Sequence, residues 1–504
     1  MDLLIVGAGF SSLRNNVEVP LLPLFLGELN SVAKSISPDV SVLDLNVELY
    51  LARKKGIFNY SALKKSFFKD YLAGGSPNST PEKLIFTYFD SIKVLFNSYI
   101  KQVPNVALFS VPYSCDINSS LLLAKLLKEL NPDVKIVFGG TFFNDNIKFS
   151  KGVLLEKYSF IDVVATGSMG DVAPLLFALS SGSNLTSVPS IYFRKNNVVT
   201  FSDIQSSKKT PLLCPDFSNF NIDSYRSIHP SGEILIPYRF MDGCPHNCSF
   251  CRFCLSQDFF AKKPADVKKD LDLLKSQTNS NNFYFLNNTV NVSESFIVPY
   301  LDVFSELKIR WSDSARPEKI SPSLAEKLKL SGCVSLTFGV ESFSQKDLDL
   351  MDKGFKISDI VSTLKNVHDA GIITKINLIY GIPFQSAKSL SDSFSNIDIA
   401  LPFIDLVYAF RFYISGDMNK NPSKYGVKIK DICYFEEVDG RLRDELEACF
   451  EEMYLLLKNY FISRKTYCYF SYKDTSIFND LDLFLPLNPK FASFKEWAFL
   501  TLKS

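Results

Sequence analysis

Histidine is the scarcest chemistry-bearing residue in this chain: three in 504 positions, His229, His246 and His368, and none before residue 229. That absence excludes a histidine-built metal or acid–base centre from the first two-fifths of the sequence. An excess of either charge is also missing. Fifty-five Lys and Arg against 54 Asp and Glu leave a net charge of +1, which gives no global case for nucleic acid as a partner. No window offers the roughly 18 uncharged apolar residues of a membrane span. Met1-Asp-Leu-Leu-Ile-Val lacks the basic start of a secretory leader, so the expected location is cytoplasmic, with no membrane contact. Ten cysteines are too sparse for a disulfide scaffold. Six of them, Cys115, Cys214, Cys333, Cys433, Cys449 and Cys468, are scattered, whereas Cys244, Cys248, Cys251 and Cys254 fall within eleven positions.

What is present is an ordinary folded composition, 46% apolar and 22% charged, in a chain long enough for two or three domains. Residues 1–202 alternate short β-branched runs (3–6, 40–45, 106–110, 134–139, 161–166) with helical periodicity (19–35, 117–130, 171–179), the order of a parallel sheet covered by helices. Residues 61–100 read as a helical insertion whose aromatics build core. Residues 191–196 and 198–202 read as a hairpin about Asn197. A Ser-, Pro- and Asp-rich stretch follows, and residues 203–232 are the expected linker. A second βα series occupies 233–425, with strands near 234–240, 282–286, 309–312, 334–339, 374–380 and 406–413. Six strands predict a partial, open βα barrel with active groups at the strands' C-terminal ends. Residues 426–504 form an α/β tail, with a helix near 437–460 and an aromatic-rich end.

The cysteine cluster follows the first strand of that second series: Cys244-Pro-His-Asn-Cys248-Ser-Phe-Cys251. Thiolates at short fixed spacing suit iron–sulfur clusters or zinc. Three thiols hold three irons of a 4Fe-4S cube and leave the fourth open to a substrate or cofactor, the requirement for reductive cleavage of S-adenosylmethionine. A zinc site needs a fourth ligand, which Cys254 or His246 could supply.

CxxxCx-aromatic-C, with Phe250 as the aromatic, resembles the signature of the radical S-adenosylmethionine superfamily, and the resemblance continues strand by strand. Asn287-Asn288-Thr-Val-Asn291 stands where relatives carry an Asp pair and Asn, so Asn288 and Asn291 would offer amides to the cofactor. Arg316 occupies the place of an Arg near the cofactor. Phe338-Gly339-Val-Glu341-Ser342, followed by Leu348, Met351 and Lys353-Gly354, resembles the G-[IV]-E-S segment and makes Glu341 the leading non-cysteine candidate. Gly381-Ile-Pro383 resembles the G-x-P turn behind the adenine. The resemblance assigns the cluster and the catalysis to Cys244, Cys248 and Cys251.

An α/β domain directly before such a barrel resembles the Rossmann-like cobalamin-binding module of the cobalamin-dependent branch. The matching loops are Phe109-Ser110-Val-Pro112, the strand-ending Gly139-Gly140-Thr141, and Asp162-Val-Val-Ala-Thr-Gly167-Ser-Met-Gly170-Asp171. The resemblance therefore places Ser110, Gly139, Gly140 and Gly167 at a corrin. D-x-H-x-x-G is absent, since Asp44-Leu-Asn46 has no histidine, so a bound cobalamin would lack that axial ligand. Gly7-Ala-Gly9-Phe-Ser-Ser12 is a weaker competing signal for a dinucleotide.

The function implied is cleavage of S-adenosylmethionine to a 5′-deoxyadenosyl radical and methylation of an unactivated carbon in a peptide or natural-product intermediate. An electron donor such as flavodoxin or ferredoxin would serve it. Three alternatives stay open: a cyclase or rearrangement enzyme with a vestigial cobalamin domain, a non-catalytic iron–sulfur or zinc protein, and a tRNA methylthiotransferase. The last needs three further N-terminal cysteines where only Cys115 precedes residue 200.

Overall fold

The computed structural model describes residues 1–7, 21–55, 103–111, 117–140, 143, 152–202, 204, 212–229, 232–251, 259–431, 434–438, 440–466 and 468–471. The expected insertion at 61–100, residues 8–12, Cys115, Cys254, Cys433 and the aromatic end up to Trp497 lie outside the described residues. The chain divides into two compact units, residues 1–234 with 276–278 and residues 235–275 with 279–504.

In the first unit, β1 (Leu3–Gly7), β2 (Val40–Asp44), β3 (Val106–Ser110), β4 (Lys135–Gly139) and β5 (Val163–Ala165) pair in parallel in the order 2-1-3-4-5. Their near-continuous apolar runs are what a sheet covered on both faces requires. Leu3–Val6 and Val106–Phe109 are buried throughout. Helices Leu24–Ile36, Ile117–Leu130 and Val172–Ser181 are among its cover. The expected hairpin is β6 (Ile191–Lys195) and β7 (Val198–Phe201), joined antiparallel to β5's edge. Asn196 and Asn197 both take positive φ, +52° and +65°, the backbone of a two-residue I′ turn. Within the expected linker, residues 212–229 belong to this unit and carry helix Ile222–Ile228. Tyr225 on that helix donates to Asp44 Oδ2 at 2.6 Å.

The second unit is built on one parallel sheet: β8 (Leu235–Tyr238), β11 (Asn282–Phe285), β12 (Arg310–Ala315), β13 (Cys333–Glu341), β14 (Ile373–Tyr380), β15 (Leu406–Arg411) and β18 (Cys468–Ser471), adjacent in chain order. Two short antiparallel pairs accompany it, β9 (Met241–Asp242) with β10 (Phe260–Ala261) and β16 (Val427–Asp431) with β17 (Tyr434–Glu437). Helices follow the strands, as the βα reading expects. The sheet has seven strands, not six: Cys468–Ser471 lies parallel to β15. A four-residue run carries too little periodicity to separate strand from tail, but β15 would otherwise leave its backbone unpaired at an edge. The tail helix runs Arg443–Ser463, with the Glu445 carboxylate accepting from Leu442 N at 2.8 Å.

One face of this sheet packs on helices through aromatics. Trp311 lies 5.7 Å from Phe285 and 5.5 Å from Phe304 of helix Glu294–Leu307, ring centre to ring centre, and its indole N–H donates to Ser331 O. The opposite face carries Tyr284, Ser312, Lys375, Asn377 and Tyr408. Tyr284 on β11 and Tyr408 on β15 are separated by three strands, yet they interact electrostatically. The sheet therefore curls, and this face is the concave interior.

Candidate functional site

The cysteine loop leaves β8 and is tied down by backbone contacts. Cys251 N donates to Cys248 O at 3.1 Å, Ser249 N to Met351 O at 3.0 Å, and Ser249 Oγ to Leu350 O at 3.0 Å. Met418 N donates to Ser249 O at 2.9 Å, and Ser415 Oγ to Phe250 O. Gly416, at φ +64°, lets the two segments meet, because a Cβ there would stand 2.7 Å from both Ser249 O and Cys251 O. Cys248 is buried, and Cys244 and Cys251 are half-buried.

Arg316, just beyond the end of β12, reaches this loop. Its Nη1 lies 3.5 Å from Cys248 Sγ, its Nε donates to Glu318 Oε1 at 2.6 Å, and its Nη2 donates to Lys353 O. The guanidinium also stacks 5.1 Å from the centre of the Phe355 ring. Buried and held on four sides, it aims positive charge at a thiol. Lys353, also buried, puts its Nζ 3.4 Å from Glu341 Oε1 and 5.7 Å from the Phe250 ring centre. Glu341 is the last residue of β13 and takes φ +68°, a left-handed backbone that a non-glycine residue holds only when its surroundings force it. Burial pushes its carboxyl above the ordinary range, against the pull of Lys353 and Arg316. His246, inside the loop, is lowered to about 4, by burial first and then by the Arg316 charge, and is neutral at pH 7.

These residues fit an anionic cluster. Three thiols share one loop, and a fixed cation donates toward one of them, the N–H···S arrangement that stabilises cluster ligands. Among the described residues no three His, Cys, Asp or Glu side chains converge as a single metal ion requires.

Asn291 makes its hydrogen bonds within the fold. Its Oδ1 accepts from Arg316 N at 2.8 Å and Thr289 Oγ1 at 3.0 Å, and its Nδ2 donates to Arg316 O and Glu318 O, both at 2.9 Å. All four hydrogen-bonding positions of an amide are then filled, so Asn291 holds the Arg316 turn. Gly381, at φ +80°, is a glycine that packing requires, because a Cβ would lie 2.6 Å from the Phe450 ring. Pro383 is buried in the same turn. Asn288 donates to Gly243 O at 2.9 Å, beside Cys244. Glu318, Phe355 and Ser415–Gly416 were given no role from sequence. They act through contacts across the fold, which leave no local pattern.

In the first unit, Gly7, Ser110 and Gly139 stand in register across β1, β3 and β4 at their C-terminal ends. The order 2-1-3-4-5 reverses between β1 and β3, the crevice where such sheets bind ligands. A Cβ at Gly139 would meet nothing nearer than Ala165 O at 3.7 Å, so packing alone does not demand glycine there. Its neighbours differ. Gly140, at φ +121°, would drive a Cβ to 2.4 Å from Val111 O, and Gly167 would drive one to 2.3 Å from Asp171 Oδ2. Asp171 caps the turn through Ser168 N at 2.7 Å. Asp44 and Asn46, at the position of the missing histidine motif, are bonded to each other, Asn46 N to Asp44 Oδ1 at 3.0 Å. Burial raises Asp44 to about 6.

Residues 238–395 match the model of the Radical SAM superfamily. The chain is 25% identical over 304 residues to an uncharacterized methyltransferase of Pyrococcus horikoshii, covering 56% of this chain and 63% of that one. It is 24% identical over 285 residues to an anaerobic magnesium-protoporphyrin IX monomethyl ester cyclase of Rubrivivax gelatinosus, covering 54% and 50%. Thus it matches between half and two-thirds of the length of these curated relatives. In fold it resembles the radical S-adenosylmethionine methyltransferase TsrM from Kitasatospora setae, whose structure has cobalamin and a [4Fe-4S] cluster bound. The TM-score is 0.56 at 14% identity, over 85% of this chain and 79% of that one. No described helix is long and apolar enough to cross a membrane. Residues 238–395 therefore carry a Radical SAM superfamily domain, in a chain whose fold resembles that of a radical S-adenosylmethionine methyltransferase.

Proposed function

We propose that this chain cleaves S-adenosylmethionine reductively and methylates an unactivated carbon of a peptide or natural-product intermediate. The carrying observation is the Arg316 Nη1–Cys248 Sγ contact within a loop bearing three thiols. Cys244, Cys248 and Cys251 would hold the cluster, which when bound supplies the electron for that cleavage. Arg316 offsets the negative charge of the thiolates and keeps Cys248 oriented, while Asn291 fixes the turn that carries Arg316. Glu341, turned inward by its left-handed backbone, accepts from the amine or ribose hydroxyls of S-adenosylmethionine. Lys353 and Arg316 pull against the burial that raises that carboxyl. Phe250 and Phe355 wall the two cations off from water, which strengthens both interactions. The open edge formed by Ser110 and Gly139 supports a corrin in the first unit, where cobalamin would supply a methyl carrier.

One observation favours a second reading, ring formation: the Rubrivivax relative is named a cyclase. One experiment separates the two. Anaerobically purified, cluster-reconstituted protein is given S-adenosylmethionine, a flavodoxin or ferredoxin reductant and hydroxocobalamin, and followed by visible spectrum and mass spectrometry. Retained corrin with both 5′-deoxyadenosine and S-adenosylhomocysteine is the expected result. 5′-Deoxyadenosine without corrin or S-adenosylhomocysteine favours cyclisation or rearrangement, and no cleavage with an intact cluster overturns the proposal.

A further inference from the structure

The interior of a βα barrel is ordinarily filled by Val, Ile and Leu, but the concave face of this one also carries a row of polar residues among apolar ones such as Ile373 and Leu406. Tyr284 and Ser312 pair across β11 and β12, Ser312 and Ser335 across β12 and β13, Thr337 and Lys375 across β13 and β14, and Asn377 and Tyr408 across β14 and β15. Parallel pairing keeps these partners on one face. Lys375 is 1% exposed. No described group hydrogen-bonds its Nζ, and only Cys333 reaches it electrostatically. Ser312 Oγ, Ser335 Oγ and Asn377 Oδ1 are likewise buried without partners.

A buried amine with no partner is costly relative to a well-packed apolar side chain, and no counter-ion for it lies among the described residues. Burial also lowers Lys375 to about 7, so an arriving anion would draw a proton onto it. The cavity lined by Ser312 and Ser335 measures about 10 Å³, room for one water. Lys375 and Asn377 lie two and four residues beyond Ile373, the β14 partner of Ser335. Lys375 lies three residues before Leu378, the partner of Glu341, which is roughly 10 Å along a strand.

We propose that the barrel interior is a carboxylate-binding site in which Lys375 pairs with the anionic end of the substrate and Asn377 hydrogen-bonds beside it. This deepens the function proposed above and rests on it for the word substrate. It assigns the class: an acid whose carboxylate lies about 10 Å from the carbon presented near Glu341. The Asn377 amide can turn end for end to present its N–H₂.

The test uses the full-length, cluster-reconstituted protein, with glutarate as the probe and sodium chloride at matched ionic strength as the control. Thermal midpoints are followed for the wild type, Lys375→Met and Lys375→Gln. Glutarate is expected to raise the wild-type midpoint. Lys375→Met is expected to melt higher than the wild type without ligand, since it replaces a buried amine by an apolar side chain of similar length. Both variants are expected to bind glutarate at least tenfold more weakly while keeping the cluster absorbance. Equal glutarate responses in all three proteins, or a lower midpoint in both variants without ligand, would overturn the site. S-adenosylmethionine cleavage is read on the same samples. Its absence, with a Lys375-dependent glutarate response retained, would remove the proposed reaction and leave the carboxylate site standing.

Discussion

The two parallel sheets answer to different rules. In the first unit, Ile5, Val6, Ala107, Leu108, Ile136, Val137 and Phe138 are buried, so both faces are core and the partly exposed edge is the strand ends at Ser110 and Gly139. In the second, one face is as apolar as that, with Trp311, Leu336, Phe338 and Ile376, while the other carries Ser335, Thr337, Lys375 and Asn377. A flat sheet between helix layers offers a ligand only its strand ends. A curled sheet offers its inner face as well.

The sharpest break in that comparison should come at the cysteine loop. Cys248→Ala is expected to abolish cluster absorbance and S-adenosylmethionine cleavage, while Cys254→Ala keeps most of both. Equal losses would mean that four thiols, not three, hold the cluster. A pair of glycines tests the strand-end rule in the first unit. Gly140→Ala must place a side chain at φ +121° against Val111 O and is expected to cost about 2–4 kcal/mol in denaturant melts, strain and clash together. Gly139→Ala is expected to melt like the wild type and to retain less corrin on gel filtration. Corrin retention unchanged in Gly139→Ala would remove that edge from the cofactor site.

Glu341→Ala is expected to weaken S-adenosylmethionine binding about tenfold by calorimetry, the loss of one charge-assisted hydrogen bond, with the cluster spectrum intact. Unchanged affinity would take Glu341 out of the site. The last test is a pH slope. Asp44 is raised to about 6 from 3.8, so between those values the folded state binds the extra proton and stability falls as pH rises through the window. Complete loss would amount to on the order of 3 kcal/mol. Asp44→Asn is expected to flatten this part of the profile, and an unaltered profile would show that Asp44 is not the group responsible.

Much of this was legible in the residues because its physics is local. Apolar runs gave the strands of both sheets except Cys468–Ser471, Asn197 gave the hairpin turn, and the thiol spacing gave the loop. The contacts that make the site were not legible, because they join distant segments. Nothing near Asn291 says that its amide is filled by the backbone of Arg316 and Glu318, and nothing near Gly381 says that Phe450 lies against it. Lys375 was invisible for a different reason. In Ile373-Thr-Lys-Ile-Asn-Leu-Ile-Tyr380 it reads as the polar half of an alternating strand, which ordinarily faces water, and only the curl of the sheet turns that half inward.

Glu341 sets a limit on how far this protein can be hardened. At φ +68° the residue its backbone prefers is glycine, worth about 1 kcal/mol in relief. Selection for heat resistance alone would therefore favour Glu341→Gly, and would discard the carboxylate with the strain. Persistence of glutamate at this position under such selection would report a demand from chemistry that melting temperature cannot reveal.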